Sequence, residues 1–320
     1  MIAHDFPFDP TYGYTLDDLL AVTAPAEPAD FKSFWQDKYA KARQIPLNID
    51  RKEIESPDAA FQLYRVSYDS WDGVRIGAWI TVPQSEPIER ATVVGHGYGG
   101  RDAPGFEEPI KNTVCIYPCV RGFQLSPHQT YPGDGHRHVM VGIESKDSYS
   151  HLGSVVDYWL AASVLESLYP QTADKLYYLG GSFGGGIGAL MLPWDSRFKK
   201  AFLDIPSFGN HPLRVELPCV GSGESVQKHV KEGHPEVLEV LRYFDAAIAA
   251  KHIQIPVFVA AATFDPAVPP RANSPFTIAY QAPKSFLYVK LRTSNYPATS
   301  TTTPPLMPAC YAGLLNKYIQ

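Results

Sequence analysis

The feature that most constrains the fold is a Gly-x-Ser-x-Gly motif centred on Ser182, between a short apolar run and a helical run of small residues. An apolar strand that enters a glycine-lined turn and then a helix holds the serine in a strained conformation above the sheet edge. Gly180 and Gly184 leave room for that turn. This nucleophile elbow predicts acyl transfer through a serine ester. The alternative is a glycine-rich turn that only permits close packing.

The composition is that of an ordinary globular protein and argues against two kinds of partner. The chain has 320 residues, of which 45% are hydrophobic and 19% charged, and its formal net charge is -5. A mild negative charge without a basic block argues against nucleic acid. No apolar run approaches the ~18 residues that a membrane span requires. Length and composition fit one large α/β domain or two small ones. No internal repeat or long linker is evident, which favours a single domain over residues 1–320, with an N-terminal arm over residues 1–50 and an atypical tail over residues 290–320.

The start of the chain and its cysteines favour a reducing compartment. Residues 1–10 contain a histidine, two aspartates and two prolines, so they lack the basic start and apolar core of a secretory signal. We therefore expect a cytoplasmic protein. The four cysteines show no metal-ligand spacing, which favours reduced, mostly buried thiols. They are Cys115, Cys119, Cys219 and Cys310.

The pattern of apolar runs predicts a mostly parallel, doubly wound α/β sheet with helices on both faces. Six short runs that suit buried parallel strands lie at residues 91–95, 113–117, 175–179, 201–205, 256–262 and 285–289. Segments of helical length lie at residues 153–168, from residue 183 onward, and at residues 236–250. Upstream, residues 16–21 and 30–42 carry helix signals, with Asp30 as the expected N-cap, and residues 61–68 and 74–82 alternate like an antiparallel hairpin. The functional site is expected at the carboxyl ends of the parallel strands.

Other parts of a serine hydrolase site have candidates in the same sequence. In such a fold the oxyanion hole uses the backbone N–H after the nucleophile and one from a loop after an earlier strand. These would be the N–H of Phe183 and one from the glycine-rich loop at residues 96–100. The acid should follow a later strand, as Asp265 does. A plain glycine turn and a turn or helix-capping aspartate are the structural alternatives.

The general base is missing from its expected place. In the order Ser, Asp, His, the histidine should follow the run at residues 285–289. All ten histidines instead precede Asp265: His4, His96, His128, His136, His138, His151, His211, His229, His234 and His252. Losing the base from such a unit costs on the order of 10⁶ in turnover. His96, His151 or His211 could act as a substitute from an earlier loop, but the sequence favours a solvated loop histidine at each of these positions.

Several short motifs occur in one order along most of the chain. They are residues 31–35 (Phe-Lys-Ser-Phe-Trp), 97–101 (Gly-Tyr-Gly-Gly-Arg), 121–122 (Arg-Gly), 181–186 (Gly-Ser-Phe-Gly-Gly-Gly), 243–245 (Tyr-Phe-Asp), and Asp265 with Pro269 and Pro270. Over roughly residues 6–289 this ordered set resembles the acetyl xylan esterase and cephalosporin C deacetylase family.

The resemblance implies an α/β-hydrolase fold and a serine carboxylesterase. Such an enzyme removes acetyl groups from small O-acetylated compounds, including acetylated xylo-oligosaccharides and a cephalosporin side chain, with no metal and no cofactor. The implied roles are Ser182 as nucleophile, Asp265 as the acid that orients the base, and the backbone N–H groups of Tyr98 and Phe183 as the oxyanion hole. Family members are often hexamers with sites facing an inner cavity, which implies a homo-oligomer.

Three positions depart from the family pattern. Where the family has Arg-Gly-Gln, this chain has Phe123, which exchanges an amide for an apolar ring. Where the family has Gly-x-Ser-Gln-Gly, Phe183 follows Ser182, and the hole requires only its backbone N–H. The family's Gly-His-Glu is replaced by Leu-Arg-Thr-Ser-Asn-Tyr at residues 291–296, followed by a threonine-rich stretch at residues 298–305. Residues 308–318 would still form a short helix.

Two explanations of the altered tail make different predictions. One is a reading-frame change near residue 292, because Arg-Thr-Ser can be encoded CGG-ACA-TCN and a shift of one base reads GGA-CAT, which encodes Gly-His. The nucleotide sequence of the gene tests it. The other is a family member without a base that acts as a catalytically inactive binding or structural protein. A broad-chain lipase or peptidase is disfavoured because no large apolar lid segment is evident.

Overall fold

A mostly parallel sheet organises the part of the chain that the computed structural model describes, which is residues 4–84, 87–106, 111–273 and 286–293. Its strands are β1 (Asp50–Ile54), β2 (Phe61–Asp69), β3 (Arg75–Pro83), β4 (Arg90–Gly95), β5 (Thr113–Pro118), β6 (Leu176–Gly181), β7 (Phe198–Asp204), β8 (Val257–Phe264) and β9 (Phe286–Thr293). Their order in the sheet is β1-β2-β3-β5-β4-β6-β7-β8-β9. Strands β1, β2, β3 and β5 pair antiparallel, and every pair from β5 to β9 is parallel.

The helices follow the strands in the alternating pattern that the sequence predicts. They are α1 (Leu16–Leu20), α2 (Phe31–Ala42), α3 (Gly135–His138), α4 (Ser150–Leu168), α5 (Phe183–Met191), α6 (His211–Arg214), α7 (Ser222–Lys231), α8 (Val237–Leu241), α9 (Ala246–Ala250) and α10 (Pro270–Asn273). Short 3-10 turns lie at Trp71–Gly73, Pro170–Lys175 and Arg242–Phe244. The antiparallel hairpin, the six parallel runs and the helices at residues 16–21, 30–42, 153–168 and 183 onward are confirmed to within a few residues.

The central strands read as continuous apolar runs because the sheet is buried on both faces. Neighbouring residues of β4 show this: Val93 joins a core cluster that includes Trp159 of α4, whereas Val94 joins a cluster on the opposite face with Leu179 and Phe258. Val93 and Val94 are both buried. Neighbouring side chains that point to opposite faces of the sheet are therefore both apolar, as is usual for the strands of parallel sheets.

The structure corrects one expectation about the helices and confirms the position of Asp30 as the N-cap of α2. Residues 236–250 are α8, a 3-10 turn and α9 rather than one helix, because Asp245 is extended (φ -85°, ψ 111°) and its carboxylate caps the new helix through the N–H groups of Ala247 and Ile248.

Asp30 stands at the N-cap of α2 but makes no capping hydrogen bond through its side chain. Its carboxylate accepts hydrogen bonds from Lys146 and Tyr243 instead.

Some elements gave no sequence signal, and some predictions concern residues outside the described ranges. Strand β1 is a mostly exposed edge strand of charged residues, so it lacks the apolar alternation of β2. The short helices α3, α6, α7 and α10 were likewise not predicted. The expected helix at residues 308–318, the threonine-rich tail and Cys310 lie beyond the part of the chain that is described.

A fully buried ion pair fastens α4 to the segment after β5. Arg121 donates to Asp157 through Nη2 (2.8 Å) and Nε (3.1 Å), and neither side chain is exposed. The backbone N–H of Arg121 and the hydroxyl of Ser70 also donate to the same carboxylate. This network pairs the two charges, although Nη1 of Arg121 has no hydrogen-bond partner among the described residues. Removing one member of the pair would leave the other charge buried and uncompensated.

We predict that Asp157→Leu lowers the free energy of unfolding by about 3–5 kcal/mol, the usual cost of stranding a buried charge. Urea unfolding followed by circular dichroism measures the change. The control is Asp37→Asn, which removes an exposed ion pair with Lys41 and should change the free energy by less than about 1 kcal/mol. A similar small effect for both variants would contradict the assigned role of the buried pair.

Candidate active site

Ser182 occupies a strained turn between β6 and α5. Its backbone lies at φ 51°, ψ -114°, a region that non-glycine residues rarely adopt and that costs of order 1–3 kcal/mol. The turn is held by its own backbone: the Ser182 N–H donates to the Asp204 carbonyl at 2.8 Å, and the Ser182 carbonyl accepts from Gly186 and Ser207 at 3.0 Å each. The predicted elbow conformation is therefore present.

Close backbone approach explains the two glycines of the motif. A Cβ at Gly180 would lie 2.7 Å from the carbonyl carbon of Gly184, and a Cβ at Gly184 would lie 2.8 Å from the carbonyl oxygen of His96. The Gly184 N–H donates to that same oxygen at 2.9 Å. The elbow thus packs directly against the loop that follows β4, and either side chain would force the two apart.

The glycine-rich loop at residues 96–100 has three backbone N–H groups without a partner among the described residues, those of Gly97, Tyr98 and Gly99. Gly100 closes the loop by donating to the Gly97 carbonyl at 3.0 Å. Within the described residues, the N–H groups of Tyr98 and Phe183 donate to no acceptor. The rings of these two residues stack, with centroids 4.2 Å apart and planes at 29°. The stacked rings therefore hold the glycine-rich loop against the first residue of α5, which follows Ser182 directly.

Asp265 directly follows β8 at the same edge of the sheet and is buried. Its Oδ1 accepts hydrogen bonds from the N–H groups of Ala267 and Val268, both at 2.8 Å, and its own N–H donates to the Pro10 carbonyl. The bonds of Oδ1 are those of a turn aspartate, the alternative left open by the sequence. The same bonds would also hold the carboxylate rigidly at the carboxyl end of β8.

Comparison with known proteins places this chain in a family. A sequence model described as acetyl xylan esterase matches residues 13–291. The chain belongs to the acetyl xylan esterase family. It is thereby a member of a family of carboxylic-ester hydrolases, and the predicted resemblance is confirmed.

Solved structures agree on the fold. The acetyl xylan esterase from Paenibacillus sp. R4 has a TM-score of 0.81 at 22% identity, with 96% of this chain and 99% of that chain covered. Acetyl xylan esterase 1 from Thermoanaerobacterium sp. JW/SL YS485 has a TM-score of 0.79 at 20% identity, with 98% of each covered. An acylaminoacyl peptidase from Pyrococcus horikoshii has a TM-score of 0.57 at 16% identity and covers 73% of this chain and 38% of that one. The α/β-hydrolase fold is therefore confirmed.

No histidine of this acetyl xylan esterase family member lies within hydrogen-bond distance of Ser182 Oγ. All ten lie among the described residues, and the one hydrogen-bond partner that the described residues offer to Ser182 Oγ is Ser207 Oγ at 3.5 Å. His96 is buried with both ring nitrogens used, Nδ1 by the Gly97 carbonyl and Nε2 by the N–H of Val120. The expected histidine position, after β9, is occupied by other residue types.

The other two proposed substitutes are also buried rather than solvated. His151 bonds through Nε2 to the Tyr98 hydroxyl at 2.9 Å, and His211 bonds through Nε2 to the Phe244 carbonyl at 3.2 Å. Both are at most 1% exposed. The interpretation of these three residues as solvated loop histidines is therefore wrong, because aromatic side chains enclose them.

Two phenylalanines fill the positions at which the family has glutamine. Phe123 is fully buried, and its ring lies 5.3 Å from that of His96 and 5.2 Å from that of His138. It also approaches the rings of Tyr98 and Phe183, at 6.1 Å and 6.4 Å. The two changes are thus spatial neighbours, and together they make this side of the site apolar.

Sequence reasoning missed the strained loop after β7. Ile205, Phe208 and Asn210 have φ values of 45°, 69° and 51°. Asp245 holds the end of this loop by accepting the N–H groups of Asn210 (3.0 Å) and His211 (2.8 Å). Burial raises the pKa of Asp245 to about 6, with its backbone hydrogen bonds opposing the rise. The sequence signal for this loop is its position directly after a run that is typical of a parallel strand, β7.

The described residues show neither a metal centre nor a membrane span. No group of three or more His, Cys, Asp or Glu side chains among them could hold a metal ion. None of their helices is long and apolar enough to cross a membrane. Cys115, Cys119 and Cys219 are buried, as expected. Burial raises the pKa of Cys119 to about 11 and also raises that of Cys219.

Burial holds four histidines around the site in the neutral form. It lowers the pKa of His96 to about 4, those of His138 and His211 to about 3, and that of His151 well below its usual value. An unfolded histidine titrates near 6.5. The unfolded chain therefore binds more protons than the folded chain between about pH 6.5 and pH 4, and stability is lost as the pH falls through that window.

We predict that the free energy of unfolding decreases from pH 7 to pH 5 by on the order of 2 kcal/mol per buried histidine. Asp245 acts in the opposite direction and offsets about 1 kcal/mol, because its folded pKa lies above the unfolded value. Urea unfolding at pH 5, 6 and 7 measures the dependence. His138→Gln should flatten it, whereas His128→Asn at an exposed position should not. A free energy that is constant or rises on acidification would contradict the assignment.

Proposed function

We propose that the chain is a serine deacetylase for small O-acetylated substrates whose turnover is impaired by the missing base. Ser182 is the nucleophile, the N–H groups of Tyr98 and Phe183 are the oxyanion hole, and Asp265 is the remaining acid of the triad. The substrates are acetylated carbohydrates, such as short xylo-oligosaccharides, or similar acetates such as those of cephalosporins. No metal and no cofactor takes part.

The strained backbone of Ser182 is the observation that carries this proposal. A φ of 51° in a non-glycine residue persists only where the surrounding structure over-determines it. Here three backbone hydrogen bonds hold it, and the N–H of the next residue is left without a partner among the described residues. A plain packing turn requires no serine in this conformation.

The chemistry follows from these groups. Ser182 Oγ adds to the acetyl carbonyl, and the oxygen that becomes negative accepts hydrogen bonds from the N–H groups of Tyr98 and Phe183. Collapse of this intermediate breaks the ester bond, releases the alcohol and leaves acetyl-Ser182. Water must then attack that ester. Without a general base, solvent must take the proton of the Ser182 hydroxyl in the first step and a proton of the attacking water in the second. We therefore expect an activated ester to acylate the serine faster than water removes the acetyl group.

We predict that Ser182→Ala abolishes labelling by a serine-reactive phosphonate and abolishes acetyl release from p-nitrophenyl acetate. The matched control is Ser154→Ala, which removes a buried hydroxyl that bonds only within α4, to the Ser150 carbonyl, and should leave labelling within about twofold of wild type. Peptide mass spectrometry locates the label. Labelling that survives in Ser182→Ala would contradict the assigned nucleophile.

A catalytically inactive homologue is the second candidate, and the missing histidine partner of Ser182 Oγ favours it. Such a protein would bind acetylated ligands without being labelled at Ser182. Isothermal titration with acetylated xylobiose separates the two candidates. Binding without labelling supports the inactive homologue, and labelling at Ser182 supports the deacetylase.

The proposal extends to assembly and location. We propose a homo-oligomer, on the family resemblance, with sites that admit small substrates only. Light scattering gives the oligomer size, and the dependence of acylation on acyl chain length tests the restriction to acetate. We also propose a cytoplasmic location, supported by buried cysteines that show no metal-ligand spacing.

A further inference from the structure

The hydroxyl of Tyr98 is held between two histidines from different helices. Tyr98 Oη lies 2.9 Å from Nε2 of His151 in α4 and 3.2 Å from Nδ1 of His138 in α3. Both imidazoles are almost fully buried. We call these three side chains the Tyr98 clamp. A tyrosine hydroxyl donates one hydrogen bond and accepts others, so it can donate to one imidazole and accept from the other.

The clamp leaves two buried atoms without a hydrogen-bond partner. Both imidazoles are neutral because burial lowers their pKa values, and each uses one ring nitrogen on Tyr98. The other nitrogens, Nε2 of His138 and Nδ1 of His151, have no partner among the described residues. A buried unsatisfied polar atom costs about 1–3 kcal/mol. Apolar side chains at these positions would avoid this free-energy cost, which indicates that the clamp has a role other than stability.

The peptide that carries the Tyr98 N–H is held on one side by the Gly97 carbonyl, which lies in the same plane and also accepts from His96 Nδ1 at 2.7 Å. Hydrogen bonds fix the loop at its two ends, where the His96 carbonyl accepts from Gly184 and the Gly97 carbonyl accepts from Gly100. Tyr98 lies between them, and its N–H and carbonyl make no hydrogen bond within the described residues. Gly97 and Gly99 on either side add backbone freedom. The Tyr98 N–H is therefore held from two sides, through the Gly97 carbonyl of its own peptide and through the Tyr98 side chain.

The side chain also connects the loop to the elbow. The Tyr98 ring stacks on the ring of Phe183, the residue after Ser182. Phe123 and Phe208 enclose this pair, with ring centroids 6.1 Å and 6.0 Å from Tyr98. Aromatic pairs of this kind contribute about 0.5–1.5 kcal/mol each beyond burial. Stacking fixes the separation of the two residues, and the clamp prevents the ring of Tyr98 from sliding in its plane.

We propose that Tyr98, through its hydroxyl, and His138 and His151 are positioning residues that hold the Tyr98 N–H at the distance from Ser182 that the oxyanion requires. This inference rests on the proposed function, because it assigns the clamp to the oxyanion hole of that site. The hydroxyl touches neither the substrate nor the reacting atoms. It acts through the backbone N–H of its own residue.

The experiment compares Tyr98→Phe with wild type in two independent measurements. The first is the rate of phosphonate labelling at Ser182 as a function of reagent concentration. We expect the maximal rate constant to fall about 10- to 100-fold, since loss of one oxyanion donor costs about 10²–10³ and a misplaced donor costs less. The concentration for half-maximal rate should change less than about threefold, because the phenyl ring keeps the packing. The second measurement is deuterium exchange of peptides covering residues 96–101, which should become faster.

Two further variants separate positioning from general destabilisation. Tyr68→Phe removes another fully buried hydroxyl, which donates to the Asp157 carbonyl at 2.8 Å, and should alter neither measurement. His151→Phe should slow labelling like Tyr98→Phe, and the double variant should be no slower than the slower single one, because both changes release the same N–H.

The outcomes distinguish this inference from the proposed function. Wild-type protein that is not labelled would contradict the proposed function, and unchanged exchange at residues 96–101 in Tyr98→Phe would overturn the clamp whether or not labelling occurs. Labelling of Tyr98→Phe at the wild-type rate would overturn it as well. Slower labelling with faster loop exchange in Tyr98→Phe, and neither in Tyr68→Phe, would support it.

Discussion

The left-handed backbone of Ser182 is the constraint on which the rest of the site depends. A φ of 51° costs of order 1–3 kcal/mol, and the fold offsets this cost with hydrogen bonds from three directions: the Asp204 carbonyl of β7, the N–H of Gly186 in α5 and the N–H of Ser207. The glycines at 180 and 184 permit the approach that these bonds need. Because β7 and the loop after β4 contact the elbow directly, a change in either would move the serine.

The apolar surroundings of the site explain both why its histidines are neutral and why none of them is suited to act as a base for Ser182. Phe123 and Phe183 surround the buried histidines with aromatic rings, which keeps the imidazoles neutral and confines their hydrogen bonds to Tyr98 and to backbone groups. Histidines in this state position other groups well. They serve poorly as bases for Ser182, since none lies within hydrogen-bond distance of its Oγ and each would have to accept a proton in a buried environment. The described residues therefore leave backbone N–H donors without partners near Ser182 but offer its Oγ no histidine within hydrogen-bond distance.

The sequence predicts the fold well where apolar residues recur along a buried segment. It predicts the fold less well where one contact between distant residues determines the local structure. Strands β4 to β8 follow from apolar runs because both faces of the sheet are covered, whereas β1, an exposed edge strand, gives no such signal. The interruption of the helix at Asp245 involves hydrogen bonds from the N–H groups of Asn210 and His211, which lie 35 and 34 residues away in the sequence. Within the site, motif spacing identifies Ser182 and Phe183. The role of the Tyr98 side chain depends on His138 and His151, 40 and 53 residues distant, and no local pattern encodes that contact.

The most direct test of the central claim, a site that can form an acyl-serine but hydrolyses it slowly, is a pre-steady-state experiment with an activated acetate ester. Rapid mixing with p-nitrophenyl acetate should give a burst of p-nitrophenol close to one equivalent per Ser182, followed by a much slower steady state. Intact-protein mass spectrometry should then show one added acetyl group on the chain. The absence of both the burst and the acetylated species would contradict the claim, as would a linear rapid release with no acetylated protein, since that result requires an efficient base.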